Sequence, residues 1–154
     1  LGAGLLLFEI QENSDTTYRV FDWNRTGLDG KPRQLHVRES LESIRFDDVA
    51  PSLVPPAWQR SGSLECRLLV EDPLFDARVW RGPAGASAAL DPARCTVLGL
   101  VTGRATVSGG ERATMLKPGD FALLPAGTRA PSVQFLDPGE LVVASPGAAA
   151  PVAG

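Results

Sequence analysis

The chain has 154 residues, a formal net charge of −3 and a pI near 5.1. Its 15 Lys and Arg residues are scattered, which leaves no basic footprint for nucleic acid. No apolar stretch approaches the roughly 20 residues that a membrane-spanning helix needs, so neither nucleic acid nor membrane is expected as a partner. A chain of this size can bury about two-thirds of its unfolded surface in one core. The lone methionine is Met115, so Leu1 does not read as an ordinary translation start. The apolar opening also lacks the basic lead and cleavage site of a signal peptide. Cys66 and Cys95 form no CxxC and no dense framework, which suits free thiols in a reducing cytoplasm.

In chain order, Gly4 to Gln11 is short, apolar and bounded by glycine, as in a buried strand. Asn13 to Asp15 supplies turn chemistry, and Thr17 to Trp23 is rich in residues that fit a pleated surface. Asn24 to Arg33 holds Gly27, Asp29-Gly30 and Pro32 and reads as a loop. Val37, Leu41 and Ile44 then recur at helical spacing with polar residues opposite, predicting one short amphipathic helix. Asp47 to Ser63 contains Pro51, Pro55, Pro56 and Gly62 and reads as a linker.

From Leu64 the pattern becomes a series of short strands. Leu64 to Val70 and Leu74 to Arg81 precede a Gly/Ala/Ser/Pro loop from Gly82 to Arg94. Thr96 to Val101, Ala105 to Val107, Ala113 to Leu116, Phe121 to Leu124, Ser132 to Leu136 and Leu141 to Ala144 follow. Ser108-Gly109-Gly110-Glu111 is a hairpin signal. Evenly spaced short strands with Gly/Pro turns predict an all-β sandwich or small barrel, of the jelly-roll kind. The tail beyond Pro146, rich in Gly, Ala and Pro and without charge, is expected to be disordered.

The most specific stretch is Asn13-Ser14-Asp15-Thr16-Thr17-Tyr18-Arg19, followed by Val20-Phe21-Asp22-Trp23. An arginine among short polar residues and aromatics is a candidate anion or oxyanion binder. With its lead-in Leu1 to Gln11, this stretch resembles type I mannose-6-phosphate isomerases, zinc-dependent aldose–ketose isomerases of the cupin class. The resemblance continues through Leu35-His36-Val37 to Ile44. It resumes at Val97-Leu98-Gly99-Leu100, Lys117-Pro118-Gly119-Asp120, Leu123 to Gly127 and Leu141 to Pro146.

The cupin pattern can be tested on the residues themselves. Gly119, Pro125 and Gly127 have the spacing of the second cupin motif, but Ala130 stands where a ligating histidine would follow. Taking Gly103 as the end of the first motif puts Thr96 in the place of the glutamate ligand, and no His-x-His lies near Leu90 to Pro92. Zinc needs three or four N, O or S ligands at about 2 Å, so this barrel is expected to hold none. His36, the only histidine, reads as a capping or packing residue, and Glu9 has no ligand neighbour.

The resemblance implies an isomerase interconverting mannose 6-phosphate and fructose 6-phosphate through a cis-enediol, with Arg19 as an active-site residue. It also implies that the zinc ligands lie upstream of Leu1, in the N-terminal half of the same protein. No cofactor site and no metal ligand then falls in this chain, which is expected to be inactive alone. Residues 1–46 would be the C-terminal remnant of the catalytic cupin plus the helix. Residues 47–63 would be the linker, 64–146 a metal-free C-terminal cupin barrel and 147–154 the tail. Three alternatives remain at this point: Arg19 pairs with Asp15 or Asp22, the chain is a metal-free cupin that binds a sugar or sugar phosphate without catalysis, or it is a purely structural β domain used for association.

Overall fold

The computed structural model describes residues 3, 7–11, 16–50 and 52–147. The chain divides into two compact units, Leu1–Ser52 and Leu53–Gly154. The second contains ten strands among its described residues: β1 (Gln59–Ser61), β2 (Leu64–Glu71), β3 (Phe75–Gly82), β4 (Ser87–Ala89), β5 (Thr96–Thr102), β6 (Ala105–Gly109), β7 (Arg112–Leu116), β8 (Phe121–Leu124), β9 (Ser132–Phe135) and β10 (Gly139–Pro146). A six-stranded sheet runs β1-β2-β3-β10-β5-β8 and faces a four-stranded sheet β4-β9-β6-β7. Every pairing is antiparallel. This is the all-β, jelly-roll architecture read from the sequence.

Alternation along the strands explains how the sheets close on each other. Leu98 and Leu100 of β5, Val107 of β6, Val133 and Phe135 of β9, and Leu141 and Val143 of β10 meet in one apolar cluster. Phe135, Leu98 and Leu141 are fully enclosed. The turn from β5 to β6 depends on two glycines that face each other. A Cβ on Gly103 would lie 2.6 Å from the Pro138 carbonyl oxygen, and one on Gly139 would lie 2.4 Å from that of Thr102. Gly110 and Glu111 form the two-residue loop of the β6–β7 hairpin, with Gly110 at φ +63, where the sequence signal placed it.

Two strands appear where the sequence reads as loop or linker. β4 lies inside the expected Gly82 to Arg94 loop, and β1 inside the expected linker. Both are three-residue edge strands of small or polar residues, so neither carries an apolar alternation.

In the first unit, α1 (Val37–Ser43) forms as expected. His36 is its N-cap residue by position, yet its side chain caps nothing. The helix buries Ser40, while Val37, Leu41 and Ile44 are each close to half exposed. The expected strand over Thr17 to Trp23 does not form. Propensity alone cannot make a strand without a ladder partner, and here the segment bends sharply at Trp23 and Asn24. Leu7 to Gln11 is likewise irregular. The rest of that expected strand, the Asn13 to Asp15 turn and the tail from residue 148 lie outside the described residues. No helix among the described residues is long and apolar enough to cross a membrane.

The enclosed aromatic gives a direct check on the core. Phe135→Ala should destabilise the chain by about 3–5 kcal/mol, whereas Gln134→Ala on the exposed side of the same strand should stay within about 0.5 kcal/mol. Urea denaturation of the two variants measures both.

Candidate functional site

Arg19 lies in the first unit, where three segments are drawn together. Trp23 and Asn24 both have positive φ, at 53 and 54, and the Arg25 N–H donates to the Asp22 carbonyl at 3.0 Å. Two successive left-handed residues spanned by such a bond make a tight reversal of the type I′ kind. It places the side chains of Asp22 and Arg25 together. A second reversal follows, with Thr26 bridged to Pro32 and Gly30 at φ +74. The Gly27 N–H donates to the Lys31 carbonyl at 2.7 Å. The Asp29 carboxylate stabilises this loop by accepting from the Lys31 N–H at 3.1 Å. The chain thus returns Arg33 to Asp22, and Gln34 to His36 alongside Arg19.

Asp22 is the centre of the cluster, with its side chain 8% exposed. Arg33 donates to it through Nε at 2.6 Å and through Nη2 to the other oxygen, a bidentate pair. Arg19 Nε stands 3.7 Å and Arg25 Nε 3.9 Å from the same carboxylate. Hydrogen bonds from Arg33 hold the Asp22 carboxyl below its ordinary value of 3.8; burial opposes this, and the charges of Arg33, Arg25 and Arg19 reinforce it. One carboxylate therefore faces three guanidiniums, and the cluster carries net positive charge.

Arg19 itself is three-quarters covered. Its N–H points to His36 Nδ1 at 3.3 Å, and the His36 N–H donates to its carbonyl at 2.8 Å. Its Nη1 reaches the Gln34 carbonyl only at 3.4 Å. The backbone is pinned, then, while the guanidinium makes only long contacts and keeps donors for a ligand. Of the two carboxylates considered as partners, Asp22 stands at ion-pair distance and Asp15 lies outside the described residues. His36 packs against Arg19 and lies 6.2 Å from the Tyr18 ring. Glu9 is exposed.

The motif positions of the barrel adopt the backbone expected of them. Gly119 and Gly127 have φ of +89 and +83, and Gly127 donates its N–H to the Pro92 carbonyl at 2.7 Å. Thr96, in the place of a glutamate ligand, is buried and shares a hydrogen bond with Ser145 Oγ at 3.1 Å. Ala130, in the place of a histidine, is exposed at φ +46.

Comparison with known proteins places these features. The mannose-6-phosphate isomerase of Streptococcus mutans is 30% identical over 125 residues, 81% of this chain and 39% of its own length. ManA of Bacillus subtilis, also a mannose-6-phosphate isomerase, is 31% identical over 127 residues, covering 82% of this chain and 40% of its own. The chain is a relative of the mannose-6-phosphate isomerases. It spans about two-fifths of the length of the curated relatives it matches. No family model matches it.

The fold agrees with that kinship. The crystal structure of the B. subtilis mannose 6-phosphate isomerase superimposes with a TM-score of 0.64 at 22% identity, covering 86% of this chain and 41% of that one. KdgF from a Halomonas species superimposes at 0.55 with 20% identity, covering 62% of this chain and 94% of that one. The fold is therefore that of the cupins.

Among the described residues no three of His, Cys, Asp and Glu converge as a metal site. With Thr96 and Ala130 at the motif positions, the donors described here do not fit a zinc ion. Arg25 and Arg33, with Asp22 as the residue that holds them, are the members of the cluster that sequence reading missed. Asp29-Gly30 was the available signal, because a reversal there must return the chain toward Asp22.

A carboxyl whose acidity is raised on folding contributes stability that is fully present above its unfolded value, about 3.8. That contribution is lost as pH falls through the lower folded value. The Arg33 Nε–H resonance should therefore stay protected from exchange at pH 5 and lose protection on acidification below about 3.8. In Asp22→Asn the protection should be weak throughout.

Proposed function

We propose that this chain is part of an isomerase that interconverts mannose 6-phosphate and fructose 6-phosphate, and that Arg19 is its catalytic residue. One observation carries the reading. The segment that resembles the isomerases folds so that Arg19, Arg25 and Arg33 surround a single buried carboxylate. A net positive cluster that includes a three-quarters-covered guanidinium with free donors is built to receive an anion.

The reaction moves a proton between C2 and C1 of the sugar through a cis-enediol, and negative charge develops on the sugar oxygen as carbon loses its proton. A guanidinium already fixed by its backbone stabilises that charge without reorganising. The same fork would also hold a substrate phosphate in bidentate fashion. Asp22 supports this by binding Arg33 through both oxygens, which leaves Arg19 at ion-pair distance rather than neutralised by a short bond. On this reading zinc would be held by residues upstream of Leu1 and would supply Lewis-acid polarisation of the sugar oxygen. The partners are then a sugar phosphate and the N-terminal half of the same protein, in the cytoplasm. The rival reading, a metal-free cupin without catalysis, leaves the arginine cluster without a task.

In the protein expressed from its complete coding sequence, Arg19→Ala should lower turnover of mannose 6-phosphate by about 10²-fold or more. Zinc content should stay near normal in that variant. Full activity in a coupled fructose 6-phosphate assay would reject the catalytic role.

A further inference from the structure

We infer that the barrel carries a second, non-catalytic site, at the open seam between β1 and β4, for a monosaccharide-sized ligand bearing an oxyanion. β1 is the terminal strand of the six-stranded sheet and β4 of the four-stranded one. At one end the seam is closed by Ser63, whose Oγ donates to the Ser87 carbonyl at 3.2 Å and accepts from the Ser87 N–H at 3.1 Å. Beyond that bridge the sheets diverge around a pocket of about 330 Å³. The small side chains of Ala88 and Ala89 leave it unfilled. Pockets for small molecules start near 300 Å³, so this one suits a single sugar ring and its acidic group, not a nucleotide.

Register decides what the pocket presents. Cys66 pairs with Trp80 and with Gln59, and Leu64 with Ser61. Leu64 belongs to the core, so Gln59, Ser61, Cys66, Arg78 and Trp80 share its inward face. Trp80 packs against the core on one side and walls the pocket on the other. An aromatic wall of that kind receives the C–H face of a sugar ring. Gln59 and Ser61 add side-chain hydrogen-bonding groups, and an edge strand offers backbone groups without a ladder partner.

Arg78 supplies the charge. Its Nε, like those of Arg67 and Arg94, is enclosed and has no hydrogen-bond partner among the described residues. The nearest carboxylates, Asp76 at 3.7 Å and Glu71 at 3.9 Å, stand at ion-pair range without a hydrogen bond. Asp76 is instead engaged by Arg94. Arg78 lines the pocket with its side chain 39% exposed and makes no short ion pair there, so its guanidinium is left to meet a carboxylate or phosphate oxygen, in geometry as well as in charge. Arg60, which also lines the pocket, forms no ion pair among the described residues.

The site belongs to the second unit and does not involve Arg19, so the two proposals stand or fall separately. The test is isothermal titration of the full chain carrying Arg19→Ala with mannose 6-phosphate, unphosphorylated mannose and inorganic phosphate. Mannose 6-phosphate should bind saturably at one site per chain, more tightly than either of the others. Arg78→Gln should weaken that binding by at least about tenfold. Ser61→Phe, a change on an exposed edge strand that fills the pocket, should weaken it as much and keeps the test open should Arg78→Gln fail to fold. The proposal is overturned if no probe binds saturably below about 10 mM. It is equally overturned if Ser61→Phe binds like its parent.

Discussion

Two β-sheets packed face to face leave a layer about 10 Å thick between them, and that layer can be a core or a binding chamber but not both along its whole length. In this barrel Leu98, Leu100, Val107, Val133, Phe135, Leu141 and Val143 commit the middle to packing. A charged donor placed there would have to be desolvated without a partner, at a cost that no single hydrogen bond offsets. The polar inward residues Asp76, Thr96 and Ser145 are accordingly displaced toward one end of β3, β5 and β10, and Arg78, paired with Val143, stands beside them. Thr96 and Ser145 satisfy each other there as a neutral pair. The packing of the middle thus confines any chemistry of the barrel to its rim and seams.

The first unit is organised on the opposite principle. Its described residues have no comparable apolar cluster, and its one helix buries a serine while Leu41 stays half exposed. What organises the segment from Arg19 to His36 is a buried carboxylate held by a bidentate arginine, with two backbone reversals bringing the partners together. Such a centre is held by geometry: removing Asp22 would leave three like charges in proximity, and removing Arg33 would leave a buried carboxylate short of donors. A cluster with one acid and three bases also sets a local positive potential, which a set of balanced ion pairs would not.

The parts of this arrangement legible in the sequence are those encoded by neighbours along the chain. The strands of the barrel from Leu64 to Ala144 showed themselves through short apolar runs between Gly and Pro, and α1 through the spacing of Val37, Leu41 and Ile44. β1 and β4 did not, because three-residue edge strands such as Gln59–Ser61 carry no alternation. Thr17 to Trp23 misled for the converse reason: its residues favour a strand, but nothing described in the unit pairs with it. Arg19 was legible through its motif, whereas Arg33 meets Asp22 only across a loop. Arg78 needed register as well. Its pairing with Leu68 of β2 and with Val143 of β10 is what shows which face of β3 it shares.

The same contrast between units bears on function. A cupin barrel alone says little, since proteins with different activities share it; the Halomonas KdgF structure covers 62% of this chain, a share the size of the barrel unit by itself. The mannose-6-phosphate isomerases match 81–82% of the chain, which cannot be accommodated without residues of Leu1–Ser52. What distinguishes this chain from a lone cupin therefore resides in the unit that carries Arg19. Within the barrel, Thr96 and Ala130 keep the backbone of the metal motifs but none of the donors. Arg78 is one of three arginines of the barrel unit, with Arg67 and Arg94, whose buried Nε packing leaves without a partner, and among these three it is the one that lines the seam pocket.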